Sequence, residues 1–386
     1  MNKTTIGFQA PIFSRSGYGD HARDLLKSLI DMDKFDIKCV PTNWGDCPNE
    51  RYPEFEKYVL KDQKQQIDVF MQVSVPNEFK KVAKYNIGIT AGIETTQAPH
   101  EWIEGCNRMD RVIVPSHHAR QVLIDTNVFK KINKDKIPSK LVKSLDSISE
   151  DFCYLFTGHW IAGGFGHDRK DVGGTIKTFI ETFKNTSASK RPALILKTSG
   201  ATFSIIEYNE INKKIAEITD GYDNPPNVYV LEGQLTGEEM NGLYNHPKIK
   251  AMISFTHGEG YGRPLAEFSI TQKPLVVSNW SGQCDFITHA IKLPGQLRQV
   301  DKSAANNMIL PDSKWFYIDY GYASSILKDI FKNYKKYIPD ARKQARLIRE
   351  DFNLDEMTKS FDKILESSLP KFAKKIKLNI PKLEKV

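Results

Sequence analysis

The chain has 386 residues, 40% hydrophobic and 26% charged, which excludes a disordered polymer and, at about one domain per 150 residues, predicts two or three globular domains. No stretch approaches the ~18 apolar residues of a membrane helix. Met1–Thr5 run directly into a strand-like Ile6-Gly7-Phe8, and the five scattered cysteines (Cys39, Cys47, Cys106, Cys153, Cys284) fit neither a zinc spacing nor a disulfide framework, so the expected setting is cytoplasmic.

The first predicted strand is Ile6–Gln9, followed by a helix from Tyr18-Gly19 whose apolar positions Ala22, Leu25, Leu26, Leu29 and Ile30 share one face. Further strands are expected at Phe35–Val40, Ile67–Val73, Tyr85–Thr90 and Arg111–Val114, with Ser116 capping a helix His117–Thr126. The lysine-rich stretch Phe129–Lys143 interrupts the alternation and reads as a connection.

A second series then runs strand Phe152–Thr157, helix Val172–Phe183, strand Ala193–Lys197, helix Ile205–Ile218, strand Val228–Leu231, helix Gly237–Tyr244, strand Ala251–Phe255 and strand Pro274–Ser278. Helices at Tyr322–Tyr337, Asp340–Asp351 and Asp355–Leu369 finish the pattern. Alternating strands and helices predict parallel sheets covered on both faces, and the break between the series predicts two doubly wound α/β domains. The expected division is 1–148, 149–345, closing helices 346–369 and a lysine-rich tail 370–386. Such domains bind ligands at strand C-terminal ends, so the cleft between them is the expected site.

The chemistry concentrates in Ser254-Phe-Thr-His-Gly-Glu-Gly-Tyr-Gly-Arg-Pro-Leu-Ala-Glu267. Gly260, Gly262 and Pro264 prevent Glu259 and Glu267 from sharing a helix, while Pro264 suits a first helical turn. Glu259 therefore sits on a Gly-rich loop (Gly258, Gly260, Tyr261, Gly262) and Glu267 just inside a helix. The loop amides and helix start, with Arg263 beside them, form an anion-binding end flanked by carboxylates. A sugar nucleotide, with hydroxyls on either side of its phosphates, matches that arrangement.

The two glutamates with seven residues between them, together with His257-Gly-Glu-Gly-Tyr-Gly-Arg-Pro264, Lys273-Pro-Leu-Val-Val-Ser278 and Ser281-Gly282, resemble glycosyltransferase family 4, retaining enzymes of the two-Rossmann GT-B fold. The resemblance implies two domains facing across a cleft, with C-terminal helices packing back on the first. It implies transfer of a sugar from a nucleoside diphosphate donor with retention, without a metal or separate cofactor. Glu259 would contact the donor sugar and Glu267 the ribose. Ser14-Arg-Ser-Gly-Tyr-Gly19 resembles the family's first glycine-rich loop, placing Gly17, Tyr18 and Gly19 toward the donor phosphates. Asn107–Ser116 resembles its last N-domain strand. Phe156-Thr-Gly-His159 and Asp168-Arg-Lys-Asp171 resemble the segment carrying the diphosphate-binding basic pair, with Lys170 in the lysine position. His159 stands where the family has arginine, so Arg169 or Lys197 is the candidate second cation. Val230-Leu-Glu-Gly-Gln-Leu235 resembles the base-reading loop, which implicates Leu231 and Leu235. The usual N-domain histidine is missing from Ile89-Thr-Ala-Gly-Ile-Glu-Thr-Thr96, where Glu94 or Thr95 stands instead.

Other features keep alternatives open. Paired carboxylates also serve glycoside hydrolysis, but the phosphate-binding context opposes that reading. Asp31-Met-Asp33, the one Asp-x-Asp spacing, reads as surface charge at a helix end rather than a metal site. The net charge is +8, and lysines concentrate in 129–143 and after residue 370. Those lysines form either solvated surface or an electrostatic arm for DNA or another anionic surface. The acceptor is left open between a glycan, a small molecule, a protein and, since the resemblance to GT-B enzymes extends to viral DNA glycosyltransferases, a hydroxylated base of viral DNA. The two departures at His159 and near Glu94 also admit a non-catalytic sugar-nucleotide- or nucleic-acid-binding module.

Overall fold

The structure is a computed structural model that describes residues 3–44, 52–61, 67–92, 99–116, 137–200, 204–231 and 233–371. The first half carries strands β1 (Thr4–Ala10), β2 (Phe35–Pro41), β3 (Val69–Val73), β4 (Tyr85–Ile89) and β5 (Arg111–Ile113), with helices α1 (Gly17–Met32) and α2 (His100–Asn107). The strands pair parallel in the order β2-β1-β3-β4-β5. Every residue of β3 is buried, as expected of a strand covered on both faces. Ser16 caps α1 by accepting from the Gly19 amide. Asp33, from the Asp-x-Asp pair, ends the same helix in the left-handed region and pairs with Lys3.

The second half contains α3 (Ser139–Asp146), β6 (Cys153–Thr157), α4 (Val172–Phe183), β7 (Ala193–Lys197), α5 (Ile205–Thr219), β8 (Val228–Val230) and α6 (Gly237–Asn245). It continues through β9 (Ile249–Ser254), α7 (Arg263–Ser269), β10 (Leu275–Ser278) and β11 (Ile291–Leu293). Six strands form a parallel sheet in the order β11-β10-β9-β6-β7-β8. The order reverses between β6 and β9, a switch point that opens a crevice at their C-terminal ends. Two loops reach this crevice: residues 158–171 after β6, and 255–262 after β9.

Several expectations change. The lysine-rich connection ends in helix α3, and Ile137, Leu141, Leu145 and Ile148 pack into the second core with Leu243 and Phe268. Although these residues precede position 149, their apolar faces are buried with the second sheet. The expected helix His117–Thr126 lies outside the described residues, as do most of residues 129–143 and the tail beyond Lys371. An antiparallel hairpin, β12 (Gly295–Gln299) with β13 (Lys314–Ile318), was not predicted. Its first strand is exposed at every position, so it has no apolar alternation to reveal it.

Helices α8 (Tyr320–Lys332) and α9 (Tyr334–Asp351) divide at Asn333, not at the expected break near Pro339, which α9 incorporates. Asn333 fixes the division through bonds to the Asp329 carbonyl and carboxylate. Ile348 of α9 belongs to the second core, and Gln344 donates to the Phe286 carbonyl. The chain then crosses back in α10 (Leu354–Ser368), capped by Asn353. Met357, Phe361 and Leu365 enter the first core beside Leu25 and Leu29. Each buried apolar side chain there contributes about 1.5–3 kcal/mol. Thr358 bonds Ser28, and Lys34 bridges Asp362 and Glu366. No helix among the described residues is long and apolar enough to cross a membrane.

Candidate functional site

Loop 255–262 carries Glu259 to the crevice at the end of β9. Its Ser281 hydroxyl partner accepts from the Glu259 amide at 2.7 Å, and the Glu259 carbonyl accepts from Gly282 N at 2.9 Å. These bonds are made by the Ser281-Gly282 pair that the sequence associates with the same block. The Glu259 carboxylate faces the basic pair of the β6–α4 loop. Lys170 Nζ contacts Oε1, while Arg169 lies 3.4 Å from Oε2 and also 3.4 Å from the Gly258 carbonyl. Lys170 is 8% and Glu259 7% exposed, so this is a buried ion pair with a half-buried second cation. Burial alone would raise the Glu259 carboxyl, but the Lys170 and Arg169 charges outweigh it and hold it below the usual carboxylate range.

Asp171, the next residue, occupies the left-handed region and caps α4. Its carboxylate also accepts from the Tyr320 hydroxyl at 2.6 Å. Burial pushes its carboxyl up to about 8, against the bonds from Tyr320 and the Gly174 amide. His159 turns toward β7, with Nδ1 3.0 Å from Ser199 Oγ and 3.1 Å from the Gly200 carbonyl. Burial and then the neighbouring cations lower its ring below the usual histidine range. A neutral imidazole therefore stands where the resemblance expects a permanent cation. Lys197 does not reach the Glu259 group through any bond described; it donates to the Gly233 carbonyl at 2.7 Å. In that place it braces the loop expected to read the base. Leu231 follows β8, its amide bound to Leu196, and Leu231 and Leu235 pack against the second core.

Gly262 starts α7 with φ 94°, a conformation that favours glycine, and Pro264 lies in the first turn. Glu267 is buried on that helix and accepts from Arg263 Nε at 2.7 Å. Arg263 reaches further, to Asp24 of α1, at 3.1 Å. It therefore bridges the two halves. Burial, against the Arg263 charge, raises the Glu267 carboxyl to about 7. His21 lies near the same cation; burial and then Arg263 lower its ring to about 3. Tyr261 packs its ring on Phe286, centroids 4.9 Å apart, and belongs to the second core.

The first half approaches this crevice closely. A Cβ added at Gly260 would stand 2.7 Å from the Ala91 carbonyl at the end of β4, closer than real contacts allow. Arg15 donates to Gln234 across the same cleft. Gly17 opens α1 on the exposed side, Gly19 is buried in its first turn, and Tyr18 bonds Thr90 Oγ1 at 2.9 Å and the Ala91 amide. Tyr18 also meets Trp44 edge-on at 4.6 Å. Glu94 and Thr95 lie outside the described residues.

The structure thus brings Glu259, Lys170 and Arg169 together, with Arg263 and Glu267 beside Asp24. Sequence reasoning missed Asp24 and Thr90, which carry no motif and acquire their places only when the halves meet. It also assigned no role to His257, although that residue lies within the quoted block.

No protein-family model matches the chain, and no curated protein matches it. Solved structures do. Sucrose-phosphate synthase (tll1590) from Thermosynechococcus elongatus superposes with TM-score 0.61 at 11% identity, over 95% of this chain and 99% of that one. Anabaena Alr3699/HepE in complex with UDP gives TM-score 0.58 at 12% identity, over 94% and 100%. Trehalose-6-phosphate synthase OtsA gives 0.57 at 10%, over 96% and 100%. The fold is GT-B. The GT-B crevice between the two sheets is where the buried Lys170–Glu259 pair stands.

Proposed function

We propose that this chain is a retaining glycosyltransferase that moves a sugar from a nucleoside diphosphate donor to a hydroxyl acceptor. The observation that carries the proposal is the buried Lys170–Glu259 pair, with Arg169 alongside, at the switch point of a GT-B sheet. When the glycosidic bond breaks, negative charge grows on the departing diphosphate. Lys170, Arg169 and the amides of the Gly-rich loops are the groups that stabilise it, held in place in a site largely closed to water. Glu259 binds donor sugar hydroxyls and Glu267 the ribose hydroxyls; neither is required as a nucleophile. Glu94 or Thr95 stands for the N-domain histidine in this reading. Protein cations meet the diphosphate charge in this scheme, and no separate cofactor takes part. UDP bound in HepE makes uridine diphosphate sugars the first donors to try.

The acceptor is a hydroxyl of a glycan, a small molecule or a modified DNA base. A DNA acceptor would bind with steep salt dependence and present its base flipped into the cleft. Donor hydrolysis without acceptor is the first test: slow release of sugar with the anomeric configuration retained is expected, and it is lost in Glu259→Ala. Unchanged turnover in that variant would remove Glu259 from the reaction. The neutral His159 favours a second reading, a binding module without turnover. That reading requires tight nucleotide-sugar binding with no hydrolysis and no transfer to any acceptor class.

A further inference from the structure

His257 is fully buried and lies two residues before Glu259. Its side chain meets two other segments at once. Nδ1 lies 2.7 Å from the Phe316 carbonyl of β13, and Nε2 lies 3.2 Å from the Gly166 carbonyl of the β6–α4 loop. The ring is stacked on Trp315 at 4.8 Å, with the planes 26° apart, and the Tyr317 ring centroid lies 4.2 Å from its own, tilted by 45°. Its backbone repeats the connection: His257 N donates to the Arg169 carbonyl at 2.9 Å, and its carbonyl accepts from Phe316 N at 3.1 Å. Thr256 Oγ1 also donates to the Arg169 carbonyl.

We propose that His257 is a positioning residue, locking the Glu259 loop to the Arg169–Lys170 segment and to the β12–β13 hairpin. The inference rests on the reading of Lys170 and Glu259 as donor-site groups. The three reactive side chains come from two loops that are about 90 positions apart in sequence, as their ion-pair separations show. Backbone bonds alone leave each loop free to tilt about its contact line. A flat ring held by one segment below and one beside removes that freedom. In the hairpin β12 is exposed at every position, while Phe316 and Ile318 of β13 pack into the core around Phe156 and Phe255. Trp315 and Tyr317 of β13 instead supply the surfaces against which His257 is seated. Burial lowers the ring pKa to about 4 against the pull of the two carbonyls, and a neutral ring has one N–H to offer, for which the Phe316 carbonyl is the nearer acceptor. Stacking on Trp315 fixes the rest of the ring.

His257→Ala and His257→Asn test this in the full-length protein. The Asn amide can still donate to the Phe316 carbonyl from about the position of Nδ1; Ala cannot. In donor hydrolysis, Ala should lower kcat by about 10²-fold, the scale of a small misplacement of reacting groups, with a far smaller change in KM. Asn should restore most of kcat. Hydrogen exchange of the amides at 258–260, measured without donor, should speed up in Ala and return toward wild type in Asn. A purely structural role would lower the melting temperature while leaving kcat and the local exchange alone, and that result overturns the proposal. Equal loss in both variants overturns it as well, because the restored bond then does nothing. If Ala does not fold, Asn compared with His257→Phe, which keeps the stack and lacks the donor, decides the same question. Failure of the donor-site reading looks different: the wild type itself neither binds nor hydrolyses nucleotide sugars, while the exchange readout still reports on His257.

Discussion

Replacing Lys170 by Met would leave Glu259 buried with Arg169 as its remaining charged neighbour. Removing one member of a buried ion pair costs about 3–5 kcal/mol, because the survivor keeps its desolvation penalty. Arg169 is 3.4 Å from Oε2 and more exposed than Lys170, so it offsets part of that penalty. The expected loss is therefore about 2–4 kcal/mol, read as a lowered urea midpoint at constant slope. Pairing Lys170→Met with Glu259→Gln should be less harmful than the lysine change alone, since no buried charge is then stranded. The cycle formed by wild type, the two single variants and the double gives the coupling directly, and at least about 1 kcal/mol of favourable coupling is expected. A single variant within 0.5 kcal/mol of wild type, which is the ~0.5 kcal/mol range of ordinary surface changes, would refute the reasoning. So would a double variant less stable than the sum of its parts.

Other outcomes follow from neighbouring geometry. Gly260→Ala would push a Cβ against the Ala91 carbonyl, so it should weaken donor binding about tenfold or more by holding the halves apart, while each core stays folded; unchanged affinity in calorimetry would show that the approach is dispensable. Phe361→Ala in α10 should cost about 3–5 kcal/mol by leaving a cavity in the first core; a urea midpoint equal to wild type would show that this helix does not hold it together. His21 and His257, lowered to about 3 and about 4 from 6.5, stay neutral when folded and gain protons when unfolded, so stability should drop as pH falls from 6.5 toward 4, by about 3 kcal/mol or more per group at the bottom of its window. Glu267 has the opposite sign: with its carboxyl raised to about 7 from 4.5, its contribution is lost as pH rises through that window, and Glu267→Gln should remove that slope from the urea midpoint against pH.

Much of the fold was legible because its strands and helices obey simple periods. Helix Val172–Phe183 and strand Ala193–Lys197 appear with the expected ends, since their apolar positions line one core and their flanks carry caps or turns. The hairpin β12–β13 was illegible for the converse reason: an exposed polar strand such as Gly295–Gln299 has no buried face to betray it. Pro339 misled the boundary between α8 and α9, because the fold accommodates it and Asn333 sets the break instead. In the site, Glu259 and Lys170 could be read from motifs that lie within single loops. Asp24 could not, since its partner Arg263 is in the other half and nothing local marks it. Arg263 itself is marked by the motif, but its bond to Asp24 is not.

The account's central claim is that the crevice holding Lys170 and Glu259 binds a nucleoside diphosphate sugar. A thermal-shift titration of the full-length protein against uridine, guanosine, adenosine and thymidine diphosphates and their glucose conjugates tests it most directly. A ligand present at 100 times its Kd adds about 2.7 kcal/mol to native stability, enough for a clear rise in melting temperature. The expected result is a rise selective for one base, abolished in Glu259→Gln when sugar is present and reduced in Glu267→Gln. No rise with any nucleotide, or an equal rise in variants lacking these carboxylates, would contradict the claim.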